Sequence, residues 1–219
     1  SCDFCGSNTL QTIIKHATDY ESNINQYIDI LKCTECGLLQ QNRIFSNAEL
    51  TNFYTREYHG RNYSCQTLVS RLSQFLRKCY YLRFIDMIKN ISNNKSLRIL
   101  DYGSGDGFLL KLLHNLGYQN LYSCDFYPPS QISTKDITYF HPNNIDEFVD
   151  KFDIVLMINS IEHLSSFRTE IYRIVKSMAI KSTMIIETPN IDSLDFVIFQ
   201  KYWGGLHQPR HTFLWSKCS

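Results

Sequence analysis

The chain has no long hydrophobic run. Across 219 residues no apolar stretch approaches the about 18 needed to cross a bilayer, which argues against a membrane-spanning segment. It opens on Ser1-Cys2-Asp3 without an apolar leader, so no secretory signal is expected. Neither charge is in excess: the net value of +1 gives no basic footprint of the kind that nucleic acid attracts. Internal repeats and low-complexity tracts are also missing, which removes solenoids and disordered tails from consideration. What remains is a composition with 43% hydrophobic residues, enough for a real core and too many for a disordered chain.

Cysteine is the residue the chain does have in quantity. Four of the eight form two pairs, Cys2-Asp3-Phe4-Cys5-Gly6 and Cys33-Thr34-Glu35-Cys36-Gly37. Without an export signal, paired C-x-x-C reads as metal or redox chemistry before disulfides, and a reducing cytoplasm is the expected location. The two-residue spacer lets both sulfurs of a pair reach one ion, and the following Gly permits the tight turn beneath it. Cys2, Cys5, Cys33 and Cys36 would complete a tetrahedral Zn²⁺ site with no open position, a structural site. The rival reading is thiol redox chemistry. It needs one such pair at the start of a helix after a strand, and neither pair has that context.

The expected organisation is a zinc-ribbon module over 1–45, a helical linker or lid over 46–94, and a cofactor-binding domain over 95–219. Ser46-Asn47-Ala48-Glu49 has the form of a capping box, predicting a short helix toward Tyr58. Apolar residues from Leu68 to Ile85 recur at helical spacing, predicting a long helix over 66–91. Strand patterns follow at 97–101, 120–124, 137–140, 153–158 and 183–187, alternating with helix patterns at 107–116, 144–150, 166–178 and 190–202. That alternation predicts a doubly wound, mostly parallel α/β sheet.

The stretch Asp101-Tyr102-Gly103-Ser104-Gly105-Asp106-Gly107 ends the first of those strands and opens a helix. Alternating glycines bring bare backbone against a ligand, and the helix start offers unpaired N–H groups. A dinucleotide fingerprint would need glycine at 108, where Phe108 stands. Asp125 closes the next strand, where an acid can accept from both ribose hydroxyls. These residues imply a nucleoside-containing cofactor.

Here the sequence resembles the class I S-adenosylmethionine-dependent methyltransferases. Residues 152–164 are similar to that family's fourth strand and following loop, Met184 to Asn190 to its fifth strand, and Tyr202-Trp203-Gly204-Gly205 with Pro209-Arg210-His211 to an aromatic and Pro-Arg-His segment in one branch. The resemblance implies that Asp101, Gly103, Gly105 and Gly107 line the methionine end of the cofactor. Asp125 would hold the ribose, Asn144 or Ile145 would flank the adenine, and Asn159 would lie near the sulfonium. The family sheet has seven strands; five are visible before Ser219, so the expectation is a C-terminally incomplete domain or an edge covered by another segment. The N-terminal zinc module is similar to that of bacterial sugar methyltransferases.

Methyl transfer from a sulfonium is an in-line displacement that needs no acid, and a base helps when the acceptor is a hydroxyl or an acidic carbon. His163 and His211 are the candidate bases. Tyr54, Tyr58, Glu187 and Arg210 are candidate acceptor-binding residues, with Arg210 suited to a phosphate or carboxylate and an ion pair as its alternative role. Asn159 stands where related quinone-precursor enzymes carry an acid that holds Mg²⁺, which argues against that metal. The leading expectation is a methyltransferase for a small-molecule acceptor: a sugar, nucleotide-sugar or polysaccharide unit. The alternatives are an RNA methyltransferase that uses its ribbon on RNA, and a non-catalytic cofactor-binding scaffold. Oligomeric state is not legible.

Overall fold

A computed structural model describes residues 1–19, 24–46, 49, 50, 52, 53, 68–133 and 135–217. The chain forms two compact units. The first combines Ser1–Tyr54, Met157–Val175 and Ile186–Ser219; the second combines Thr55–Leu156 and Lys176–Ile185.

The expected sheet is present. Strands β4 (Arg98–Tyr102), β5 (Asn120–Cys124), β6 (Thr138–Phe140), β7 (Phe152–Ile158) and β8 (Met178–Glu187) lie in the order β6-β5-β4-β7-β8. β4 pairs in parallel with both β5 and β7. The chain builds outward from β4 to β6 and then reverses to β7, so the strand order switches at β4. In open α/β sheets ligands bind at the carboxyl ends of the strands beside such a switch. Ile99, Leu100, Ile154, Val155 and Leu156 are completely buried, as continuous apolar runs in a twice-covered sheet should be.

Helix α1 (Leu68–Ile91) matches the long helical pattern. Its buried apolar positions are Phe84, Ile85 and Ile88, whereas Leu72, Phe75 and Leu76 are exposed. Helix α2 (Phe108–Asn115) follows the glycine turn and buries Leu109, Leu110 and Leu113. The pattern at 144–150 is instead a short 3₁₀ helix, Pro142–Glu147, begun by a proline and capped by the His141 ring accepting from the Asn143 amide at 3.2 Å. Helix α3 (Phe167–Ser177) runs directly into β8, which therefore begins five residues earlier than its apolar run implied. Lys181 within that strand takes φ of 62°. The last helix is short: α4 (Leu194–Phe199) starts at the Ser193 cap and ends where Gln200 turns to φ of 50°.

A second sheet belongs to the first unit. β1 (Leu10–Asp19), β2 (Ile24–Cys33) and β3 (Leu39–Gln41) form an antiparallel set, and β9 (Phe213–Leu214) adds to β3 from far along the chain. Its core joins Ile14, Ala17, Ile28, Ile30 and Leu39 to Ile191, Leu206 and Leu214. The capping box forms as read: the Ser46 amide donates to Glu49 Oε2 at 2.9 Å and the Glu49 amide to Ser46 Oγ at 3.3 Å. The helix expected toward Tyr58, with Tyr54 and Tyr58 themselves, lies largely outside the described residues.

Candidate functional site

The glycine turn belongs to the second unit. Gly103, Gly105 and Gly107 take φ of 78°, 56° and 79°, the left-handed region that only glycine enters cheaply. The Gly103 amide donates to the Cys124 carbonyl at 2.8 Å, which ties the turn to the end of β5. The Gly105 amide donates to Asp125 Oδ2 at 2.8 Å, and the Tyr127 amide to Asp125 Oδ1 at 3.3 Å. Asp125 is thereby locked against the turn. Among the described residues a Cβ on Gly105 would meet nothing within 4 Å, whereas one on Gly107 would sit 2.6 Å from Pro129 Cβ. Gly105 thus borders open space, and Gly107 is needed for packing.

Asp101 is buried at the end of β4. Burial, then the charges of Asp125 and Asp106, raise its carboxyl to about 7. Asp106 has its own partner: Arg77 of α1 grips it with both terminal nitrogens, at 2.6 and 2.5 Å, and lies 4.3 Å over the Phe108 ring. Asp106 Oδ1 also accepts from the amide of Phe108, the first residue of α2, at 3.2 Å. Asn144 is exposed on the 3₁₀ helix and donates to Glu147 at 2.7 Å, beside the buried Ile145.

The first unit holds two further clusters. In one, Cys2 Sγ lies 3.6 Å from Cys36 Sγ and Cys5 Sγ 3.5 Å from Cys33 Sγ, and all four sulfurs fall within 4.8 Å of one another. Tetrahedral ZnS₄ with bonds of about 2.3 Å requires sulfurs about 3.8 Å apart, so the donor set fits the ion. The two knuckles repeat one geometry. Gly6 and Gly37 take φ of 82° and 79° and donate to the Cys2 and Cys33 carbonyls. The Cys36 amide lowers the Cys33 thiol to about 7, while burial pushes Cys36 up to about 12. The first knuckle also anchors α3. The Phe167 and Ser166 groups at its start donate to Asp3, and Phe4 packs edge-on against Phe167 and Trp215.

The other cluster gathers the loop after β7 and the segment before β9. Asn159 takes φ of 52°, and its amide donates to the Glu187 carbonyl at 2.8 Å. The Thr212 amide donates to the Glu162 carbonyl at 2.7 Å, and His163 Nδ1 lies 3.0 Å from the Arg210 carbonyl oxygen. His163 and His211 meet edge-to-face at 4.5 Å, and His211 stacks on His207 at 5.0 Å. Burial drives the His211 pKa well below the usual histidine value, so its ring is neutral at pH 7. Glu162 is completely buried. Burial raises its carboxyl to about 7 although Thr188 Oγ1 donates to it at 3.0 Å. Arg210 is 1% exposed, with its guanidinium on Asp19 and 2.9 Å from His207 Nδ1. Of the two roles read for Arg210 the geometry has the ion pair, buried rather than at the surface.

Signals for the supporting residues were weak. Gln41 Nε2 donates to Gln208 Oε1, the Pro209 carbonyl and the His211 carbonyl, at 2.6, 2.7 and 3.2 Å. Asp19, Gln41, Gln208 and Arg77 carry no motif; only the topology brings them to their partners.

Residues 59–218, which carry the strand–glycine-turn–helix at the topological switch and the acid locked to the turn, match the model described as "Methyltransferase domain". The chain belongs to that family. No curated protein matches it. Among solved structures, an S-adenosylmethionine-dependent methyltransferase from Archaeoglobus fulgidus is 20% identical with a TM-score of 0.51, covering 64% of this chain and 63% of its own. Magnesium protoporphyrin IX methyltransferase (ChlM) from Synechocystis PCC 6803, with bound SAH, is 15% identical with a TM-score of 0.51, covering 74% of this chain and 76% of its own. A Haloferax volcanii methyltransferase, in complex with the Trm112 activator, is 18% identical with a TM-score of 0.36 over 41% of this chain and 43% of its own. The chain thus spans less than two thirds of the first and third of these, and the likeness is one of fold. Among the described residues of this methyltransferase-domain chain, no helix is long and apolar enough to cross a membrane.

Proposed function

We propose that this methyltransferase-domain chain binds S-adenosylmethionine at the turn Gly103–Gly107 and transfers its methyl group to a small-molecule acceptor: a sugar, nucleotide-sugar or polysaccharide unit. The observation that carries the reading is the turn itself. Three left-handed glycines stand between β4 and α2, open space lies over Gly105, and Asp125 is held against the turn by the Gly105 amide. The SAH bound by the Synechocystis relative of the same fold supports the choice of cofactor.

In this reading Asp101 and the bare backbone of the glycines face the methionine end, Asp125 accepts from the ribose hydroxyls, and Asn144 and Asn159 flank the adenine and the sulfonium. Most of the rate comes from holding nucleophile, methyl and sulfur in line. His163 and His211 supply the base. Each has Nδ1 near a backbone carbonyl, which accepts only, so Nδ1 carries the proton and Nε2 the lone pair that can take one from an acceptor hydroxyl. Glu187 contributes to the acceptor side, and Arg210 acts through Asp19 and His207 as a positioning residue. The four cysteines hold a structural Zn²⁺, which fastens the first knuckle and, through Asp3, the start of α3; their reduced state suits a reducing compartment.

Titration calorimetry of the chain with S-adenosylmethionine tests the cofactor, with binding expected and its absence overturning the proposal. Release of S-adenosylhomocysteine on adding nucleotide-sugars tests the acceptor class. Turnover with RNA and none with sugars would transfer the activity to RNA, and cofactor binding without turnover on any acceptor would make the fold a scaffold.

A further inference from the structure

Glu162, His163 and His211 form a second group able to hold a metal ion. One donor atom from each lies within 4.8 Å of the other two. We propose that these three side chains bind a divalent first-row transition cation, at a site separate from the four cysteines.

Three observations converge. Glu162 is fully buried, its Oε1 has no hydrogen-bond partner among the described residues, and its Oε2 accepts from Thr188 at 3.0 Å. A buried carboxylate oxygen left unsatisfied costs free energy that a bound cation would remove. His163 and His211 place Nδ1 at 3.0 and 2.8 Å from the carbonyls of Arg210 and Gly205. That arrangement is the usual outer support of a metal-bound imidazole: it fixes the tautomer and orients the ring. The third is charge. Arg210, the buried cation nearby, is matched by Asp19, so it does not serve as the counter-charge of Glu162.

Two imidazoles and one carboxylate suit Zn²⁺, Co²⁺, Fe²⁺ or Mn²⁺ rather than Ca²⁺ or Mg²⁺, and three protein ligands leave a coordination position open. The supports are themselves hydrogen-bonded. Gln41 and Gln208 both donate to the His211 carbonyl, and the Thr212 amide donates to that of Glu162. Cation and proton compete for the same imidazole lone pairs, so the two histidines would act as bases in the metal-free chain, whereas in the loaded chain the ion would acidify an acceptor hydroxyl.

The test uses the full chain loaded with one equivalent of Zn²⁺ and then titrated with Co²⁺, without S-adenosylmethionine. The expected result is a second metal per chain by elemental analysis. Its visible ligand-field bands should lack the thiolate charge-transfer bands that the cysteine site would give. Glu162→Gln and His211→Gln are each expected to weaken Co²⁺ binding more than tenfold, with the circular dichroism of the folded chain retained. If one variant fails to fold, His163→Gln takes its place. A single metal per chain, thiolate bands only, or uptake unchanged in the folded variants overturns the proposal. Cofactor binding is scored separately by calorimetry, so failure here leaves the cofactor reading standing, and the reverse.

Discussion

The glycine turn and the histidine cluster are built in opposite ways. The turn draws its residues from one short stretch, Asp101 to Asp125, on two neighbouring parallel strands. Its special feature is backbone: three positive φ values and amides aimed at one carboxylate. The cluster draws on Asp19, Gln41, Glu162, His163 and the segment 205–212, and its special feature is buried side-chain charge. A site made of local backbone is specified by residue type at fixed spacing. A site made of remote side chains is specified by the fold that assembles it. The two therefore break differently: the turn under an added Cβ, the cluster under a removed charge.

The largest expected effect is on the cluster. Asp19→Asn leaves the Arg210 guanidinium buried without its carboxylate. Removing one partner of a buried pair costs about 3–5 kcal/mol, against 0–1 for an exposed one. Urea denaturation should show the loss, and Asp19→Leu with Arg210→Met should recover much of it. If the single substitution costs under about 1 kcal/mol, water reaches the pair, and the contrast between a dry cluster and an open turn fails.

Next is Gly107→Ala. The new Cβ would lie 2.6 Å from Pro129 Cβ and 3.1 Å from Ile132 Cγ2, at φ of 79°. Overpacking of about 1–3 kcal/mol adds to about 1–2 kcal/mol for a left-handed non-glycine residue. Thermal unfolding should reveal a loss near 3 kcal/mol.

These two cases mark what could be read before any coordinates. The parallel sheet, the cysteine pairs and the capping box at Ser46 were legible because each rests on local period or spacing. The pairing of β9 with β3 was not, since two residues at 213–214 carry no strand pattern. Nor were Asp19 and Arg210 legible as partners, because nothing local distinguishes a buried ion pair from two exposed charges. The early start of β8 was hidden by Lys181 and Ser182, polar residues that interrupt its apolar run.

A third effect, gradual rather than abrupt, separates the sites by pH. The Asp101 carboxyl titrates near 7 in the folded chain and near 3.9 unfolded, so between those values the folded state holds more proton. Stability contributed by this group therefore falls as pH rises from about 4 to about 7, by up to roughly 1 kcal/mol per pH unit, and the penalty is complete above 7. Asp101→Asn should flatten that part of the profile and gain relative to the parent at pH 8. Under the proposed cofactor reading, a cationic ligand beside Asp101 lowers its pKa. Binding near pH 6.5 should then release a proton, seen as a buffer-dependent calorimetric enthalpy that Asp101→Asn abolishes.

The smallest effect on stability is the most discriminating for function. Gly105→Ala meets no atom within 4 Å, so its cost is conformational alone, at φ of 56° about 1 kcal/mol. The chain should fold and lose only a few degrees of Tm. The space over Gly105 is where the proposed cofactor approaches the backbone, so S-adenosylmethionine affinity should nevertheless fall more than tenfold. Gly107→Ala reverses the order, with stability lost first and binding only as a consequence. If Gly105→Ala binds the cofactor as tightly as the parent, the open space is not the cofactor's, and the turn is a packing device like Gly107.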